Sequence, residues 1–254
     1  MNVHVMILAA GNSRRFGGNK LLHLYKRKPL YRYMLETILR MDVPLGEKMI
    51  VTQYDEIMEM GTTLGYYVFR NECPEDGISR SIRIGITELM GMESYHVGDA
   101  VMCCVCDQPE LRAETLTQFV REYKRTGRGI GVVTTGEVPG NPVIFRDDYW
   151  EELKLLSGDE GGKAVRNRHP EDVFYFPVSQ KPELWDIDER EDMEKLEREF
   201  EKKLIIVRGG GDLATGVIHR LYREGYSVLV LETEFPACIR RQVSFAEAVY
   251  EGFT

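Results

Sequence analysis

The sequence predicts an α/β protein: a doubly wound, mostly parallel sheet with crossover helices, followed by an incomplete C-terminal βαβ unit. Three observations carry this. Short apolar stretches alternate with longer ones whose apolar residues recur at helical spacing. The most apolar run, "DAVMCCVCDQP" (99–109), lies between two such helical stretches, as a central strand buried on both faces would. The alternation then restarts at Leu204, where "LIIVRGGGDLATGVIHRLYREGYSVLVLETE" reads as strand, glycine loop, helix and strand.

Taken in order, "VHVMILAA" is the first strand. "PLYRYMLETILRM" is an amphipathic helix with Leu30, Met34, Leu35, Ile38 and Leu39 on one side. "EKMIVTQ" is the second strand, "EIMEMGTTLG" a short helix and "YYVFRN" a third strand. After the turn-rich "ECPEDG", "ISRSIRIGITELM" opens a helix, and the central strand follows. "AETLTQFVREYKRTG" is a helix stopped by Gly127. "GIGVVTT" and "GNPVIF" are short strands, "DDYWEELKLLSGDEGGKAVRNRH" holds two helices around a glycine turn, and "VFYFPV" and "ELWDID" read as late strands. "EREDMEKLEREFEKK" is a charged helix with Met193, Leu196 and Phe200 along one side. The expected domains are 1–200 and 201–254, and the second is short for an independent core.

A net charge of -8 argues against a nucleic-acid partner, which needs a broad basic face. No apolar run approaches the roughly 20 residues that cross a bilayer, so no membrane partner is expected. The start, "MNVHVMILAAG", has no cationic region before its apolar stretch and reads as a strand, not a signal peptide. The expectation is a cytoplasmic protein whose five cysteines are reduced thiols. Cys103, Cys104 and Cys106 alternate along the central strand without a CxxC partner, and read as small core residues. His4, His23, His96, His169 and His219 show no ligand spacing.

"VMILAAGNSRRFGGNK" (5–20) joins an apolar strand to three glycines, three cations and a serine. It lacks the Gly-Lys-Ser/Thr ending of a P-loop. A strand feeding a glycine turn and then a helix offers backbone N–H groups to a phosphate. Gly11, Gly17 and Gly18 allow close approach, while Arg14, Arg15 and Lys20 bring charge; the bland alternative is an exposed basic loop. The spacing is G-x-S-x-R-x-G-x-x-K, through Gly11, Ser13, Arg15, Gly17 and Lys20.

With these residues the sequence resembles the nucleotidyltransferases that include the molybdenum cofactor cytidylyl- and guanylyltransferases. Further segments match in the family's order: "DGISRSIRIGI", "CDQPEL", "GNPVIF", "LSGDEGGKAV" and "WDIDEREDMEKLE", over about residues 1–200. The resemblance implies a Rossmann-like sheet of the nucleotide-diphospho-sugar transferase type and Mg²⁺-dependent transfer of CMP from CTP to molybdenum-bound molybdopterin. Products are the cytosine dinucleotide cofactor and pyrophosphate. Leu-Ala-Ala-Gly (8–11) resembles the cytidylyl branch, where the guanylyl branch usually has Leu-Ala-Gly-Gly.

By the same resemblance Arg15, Lys20 and Asp107 are catalytic, and Leu8, Ala9, Ala10, Gly11, Ser13, Arg14, Gly17, Ser79 and Ser81 bind nucleotide. Asp159 and Asp188 approach the acceptor, and Asp107, Asp186 and Asp188 the metal. Other roles stay open: Ser79 and Ser81 as helix-start residues, Asp188 as a helix cap, Asp107 as a turn starter. If "WDID" is a strand, Asp186 and Asp188 share a face. The family's Asp-x-Asp-Thr-Pro has here become "DIDERED", which leaves the second metal ligand open.

The second glycine loop, "RGGGDLATG", meets G-x-G-x-x-A through Gly209, Gly211 and Ala214, with Glu232 placed as a ribose-binding acid would be. Residues 203–252 resemble the opening of an accessory protein of selenium-dependent molybdenum hydroxylases, the YqeB-like family. A complete mononucleotide-binding half needs at least one more strand and helix, so bound NAD is not expected. Rival readings are GTP as donor, a sugar phosphate as acceptor, or a non-catalytic maturation factor handing cofactor to a molybdenum hydroxylase apoenzyme.

Overall fold

Val3–Ala9 forms β1, buried along all its length except at Leu8, which is half-buried. Apart from His4 its run is apolar and needs cover on both sides, and the neighbours provide it. A computed structural model describes residues 1–201, 204–223, 226–236 and 244–251 of the chain; the side chains of Arg14, Glu199, Phe200 and Glu201 lie outside the described residues.

The remaining elements follow in order. A small hairpin, β2 (Leu24–Tyr25) and β3 (Lys28–Pro29), precedes α1 (Leu30–Leu39); then come β4 (Lys48–Thr52), α2 (Asp55–Thr63) and β5 (Tyr67–Arg70). Next are α3 (Ile78–Met90), β6 (Ala100–Val105), α4 (Ala113–Thr126), β7 (Ile130–Thr135) and β8 (Val138–Arg146). α5 (Trp150–Lys154), α6 (Gly162–Arg168), β9 (Val173–Pro177) and α7 (Arg190–Glu201) lead to β10 (Leu204–Arg208), α8 (Asp212–Arg223), β11 (Ser227–Leu231) and α9 (Glu247–Glu251).

The chain divides into two compact units, Met1–Glu189 and Arg190–Thr254. In the first, seven strands lie in the order β5-β4-β1-β6-β8-β7-β9, with β6 in the middle as its apolar run predicts. β1 pairs in parallel with β4 and β6, and only β8 runs against its neighbours. One face packs Met6, Met49 and Val101 against Ile82, Ile86 and Leu89 of α3 and Trp150 and Leu153 of α5. On the other face α1 packs beside α4, burying Met34, Leu35 and Ile38 with Leu116, Phe119 and Val120. Cys103, Cys104 and Cys106 are buried free thiols, and burial pushes the Cys103 thiol up to about 12.

The parallel pairing brings the carboxyl ends of β1, β4 and β6 to one edge, the usual ligand edge of an open α/β sheet. The start of β1 is pinned at the opposite end. Asp99 accepts from the Asn2 amide (2.5 Å), the His96 amide (3.0 Å) and His4 Nε2 (3.3 Å). Burial pushes the Asp99 carboxyl up, but these hydrogen bonds outweigh it and hold the group below its usual range.

Two expectations need correcting. "ELWDID" is not a strand: Lys181–Leu184 is a 3-10 turn, and Asp186–Asp188 belong to no strand. Nor does the first glycine loop run straight into a helix. It passes through 3-10 turns at Arg14–Phe16 and Lys20–Leu22, and α1 begins only at Leu30. Any phosphate there must be met by the loop itself rather than by a helix N-terminus.

In the second unit β10 and β11 pair in parallel. Their residues alternate between exposed and half-buried, with none fully buried, so two strands do not make an enclosed sheet.

Candidate active site

The loop after β1 is held by the end of β4. Thr52 Oγ1 donates to the Ala9 carbonyl (2.8 Å), Gln53 Nε2 to the Ala10 carbonyl (2.8 Å) and Tyr54 Oη to the Gly11 carbonyl (2.7 Å). Three successive carbonyls are thereby occupied from the β4 side. Ser13 takes a left-handed conformation, φ 48°, which a non-glycine residue adopts at some cost. Its Oγ is buried without a hydrogen-bond partner. Gly17 is also left-handed, φ 73°, which explains the glycine there.

Lys20 sits at the centre of the charges. Its Nζ donates to Asp107 Oδ2 (2.7 Å) and to Asp188 Oδ1 (3.1 Å), while Arg15 meets Asp188 Oδ2 (2.9 Å). Burial pulls the Lys20 ammonium down, but Asp107 and Asp188 outweigh it and the net shift is upward, so it stays charged. Arg15 is largely exposed, and its pair is correspondingly weak. Asp107 lies two residues past the end of β6. Its carbonyl accepts from the buried Ile187 amide (2.9 Å), and this tie carries Asp188 to Lys20.

Asp107 Oδ1 is buried with no hydrogen-bond partner. Two carboxylates that share one ammonium, one of them with an orphaned oxygen, fit a hard cation that prefers oxygen ligands. Among the described residues no group of three or more His, Cys, Asp or Glu is arranged to hold a metal. A Mg²⁺ ion here would rely on Asp107 and Asp188, completed by substrate oxygens and water, which is its usual habit.

These residues line a cavity of about 540 Å³ with Leu8, Ala10, Gly11, Asn12, Ser13, Ser81 and Asp159 among its walls. Leu8, Ala10, Gly11, Ser13, Arg15, Lys20, Ser81, Asp107, Asp159 and Asp188 thus come together as one site. Ala9, Gly17, Ser79 and Asp186 are not on its wall. Ala9 and Ser79 are buried; the Ser79 amide donates to the Gly158 carbonyl (3.2 Å). This contact docks the Gly158–Asp159 turn on the start of α3. It also explains Gly77, φ 83°, where a Cβ would collide with the Gly158 carbonyl. The Arg14 side chain lies outside the described residues.

Asp186 faces the other way. It accepts from Gln108 Nε2 (2.9 Å) and lines a second cavity, of about 640 Å³, that shares Leu8, Ile78 and Val105 with the first. Burial first, then nearby Asp107, pushes its carboxyl up to about 6, against the pull of Gln108. Thr52, Gln53, Tyr54 and Gln108 were not singled out from the sequence. Their signal is faint: polar residues at the carboxyl ends of β4 and β6.

The second glycine loop is spent internally. Glu232 Oε1 accepts from the Gly210 amide, and the Gly210 carbonyl accepts from Thr215 Oγ1 (2.9 Å) and the Ala246 amide (3.0 Å). The acid that the spacing offers to a ribose instead caps its own loop, and the described residues show no dinucleotide cradle.

Residues 5–173 match the MobA-like NTP transferase domain. A probable molybdenum cofactor guanylyltransferase from Thermococcus gammatolerans is 27% identical over 205 residues, covering 76% of this chain and 97% of that protein. Uncharacterized protein YqeB of Escherichia coli is 50% identical over 50 residues, which cover 20% of this chain and only 9% of YqeB. Among solved structures, Rv0371c of Mycobacterium tuberculosis superposes with a TM-score of 0.63 at 19% identity, over 77% of this chain and 97% of that one. Its manganese complex superposes with a TM-score of 0.60 at 18% identity, over 77% and 98%. These structures show the same α/β nucleotidyltransferase fold, and no helix among the described residues is long and apolar enough to cross a membrane. By the match over 5–173 the chain belongs to the MobA-like NTP transferase family, and it is a nucleotidyltransferase.

Proposed function

We propose that the protein transfers CMP from CTP to a molybdopterin-type acceptor, with Mg²⁺ as the divalent ion, releasing pyrophosphate. The observation that carries this is the Lys20–Asp107–Asp188 cluster set opposite the glycine loop in one cavity. The curated relative named for the molybdenum cofactor and the manganese complex of a structural neighbour support acceptor and metal.

An oxygen of the acceptor phosphate attacks the α-phosphorus, its new P–O bond forms, the bond to the β-phosphate breaks, and pyrophosphate leaves. Such a step is catalysed by positioning and by neutralising phosphate charge. Lys20 and Arg15 meet the β- and γ-phosphate oxygens, and Ser13 Oγ gains the partner it lacks. Asp107 and Asp188 would hold the Mg²⁺, which would supply positive charge to neutralise phosphate oxygens. Ala10, whose methyl lines the cavity, narrows the approach of a base to the loop and supports the smaller cytosine.

GTP is the second reading, favoured by the guanylyltransferase name of the relative. The test is a pyrophosphate-release screen of the full chain with CTP, GTP and ATP, each with molybdopterin or a sugar phosphate and Mg²⁺. Release with CTP and molybdopterin alone is expected. Release with GTP instead makes it a guanylyltransferase, and none with any triphosphate favours a maturation factor. A molybdenum hydroxylase as recipient of the product is what the resemblance of residues 203–252 implies.

A further inference from the structure

The second cavity contains a charge that the fold leaves uncompensated. Arg166, on α6, is 8% exposed, and among the described residues no carboxylate lies within ion-pair distance of it. Among the described residues its guanidinium donates to the Asn167 side chain alone (3.0 Å). A buried cation without a carboxylate beside it is costly, and this one lines the cavity. Lys163 and Lys181 line the same cavity, against a single acid, Asp186.

The cavity also holds polar atoms that lack partners. Gln108 is 2% exposed; its amide nitrogen is committed to the Asp186 carboxylate, which fixes its Oε1 as a buried acceptor with no donor. Thr135 Oγ1 is likewise buried and unpartnered. Apart from Asn141, the rest of the wall is glycine and apolar side chains, including Ile82, Val143, Phe145 and Trp185. Apolar walls with a few unmet polar groups are the features of a small-molecule site.

We propose that the second cavity binds the acceptor by its phosphate through Arg166, with Lys163 and Lys181 flanking it, and its heterocyclic body between the apolar wall and Gln108 Oε1. This rests on the function proposed above and deepens it, by naming the residue that selects a phosphorylated acceptor. An Arg fork matches a phosphate with two hydrogen bonds, and an N–H of the heterocycle satisfies Gln108 Oε1.

The test uses phenyl phosphate and phenol as probes of the full chain, read by Trp185 fluorescence; the only other tryptophan, Trp150, is buried in the core. Saturating tripolyphosphate keeps the first cavity filled. Phenyl phosphate is expected to bind at least about 10-fold more tightly than phenol. Arg166→Gln should abolish that preference, a loss of roughly 10- to 100-fold, and Arg166→Lys should restore part of it. Because the charge is unpaired in the free protein, Arg166→Gln should leave the melting midpoint unchanged or raise it.

Equal phenyl phosphate affinity in Arg166→Gln and the unmutated protein overturns the proposal. So does a lowered midpoint with affinity unchanged, the mark of a structural arginine. Arg166-dependent binding without nucleotidyl transfer to molybdopterin would sink the proposed function and leave the cavity assignment standing.

Discussion

The two glycine loops begin alike, each following a parallel strand, and end differently. In the first, Thr52, Gln53 and Tyr54 occupy the carbonyls of Ala9, Ala10 and Gly11, while Ser13 Oγ and Asp107 Oδ1 stay unpartnered beside Lys20. In the second, Glu232 caps the Gly210 amide, and Thr215 and Ala246 take the Gly210 carbonyl. On the function proposed above, the first loop serves an anion: the fold satisfies three of its carbonyls and leaves the Ser13 hydroxyl without a partner. In the second the fold satisfies both the amide and the carbonyl of Gly210, and glycine serves only the turn.

The largest effect that would break this contrast belongs to Asp107. Asp107→Ala should lower pyrophosphate release at least about 100-fold; it removes the Lys20 contact with Oδ2 but leaves Lys20 paired with Asp188, so circular dichroism should show the fold retained. Near-normal release by this variant would remove the aspartate from the chemistry. Lys20→Ala comes next: triphosphate binding should weaken by about 1.5–3 kcal/mol through loss of a charge-assisted contact.

Asp99 tests the strand beneath the first loop. Its carboxyl is held below its ordinary value in the folded protein, so the unfolded chain takes up the proton at higher pH than the folded one. The stability it contributes is complete above the ordinary carboxylate value and lost as pH falls through the folded one. Asp99→Asn should cost about 1.5–3 kcal/mol near neutral pH and flatten the acid limb of the stability curve. An unchanged acid limb in denaturant titrations would show that Asp99 does not carry it. The smallest effect is expected at Glu232: Glu232→Ala should speed hydrogen exchange at the Gly210 amide, a loss of about 1 kcal/mol, and leave CTP affinity unchanged.

Much of this was legible in the sequence where the signal is local. The period of the apolar residues marks β1, α1, β4, α3, β6 and α4, and the charges of the first loop mark Arg15 and Lys20. The aspartates show how local reasoning fails. A strand over "WDID" would aim Asp186 and Asp188 to one face, but that segment is not a strand. The tie from the Ile187 amide to the Asp107 carbonyl turns Asp188 to Lys20 and Asp186 to Gln108.

Thr52, Gln53 and Tyr54 were invisible for a similar reason. Their part in the loop comes from the register that sets Thr52 beside Ala9 across a parallel pair, which no spacing along the chain records. Nothing in "GKAVRNRH" singles out Arg166, whose burial comes from the fold. The second loop misleads in the opposite sense: its spacing fits a dinucleotide site, and only the fold shows Glu232 turned inward.

The contrast between the loops is tested most directly by titrating CTP calorimetrically into the unmutated chain, Lys20→Ala and Glu232→Ala. The first loop as the triphosphate site predicts affinity roughly 10- to 100-fold weaker in Lys20→Ala and unchanged in Glu232→Ala. Unchanged affinity in Lys20→Ala, or its loss in Glu232→Ala, would contradict it.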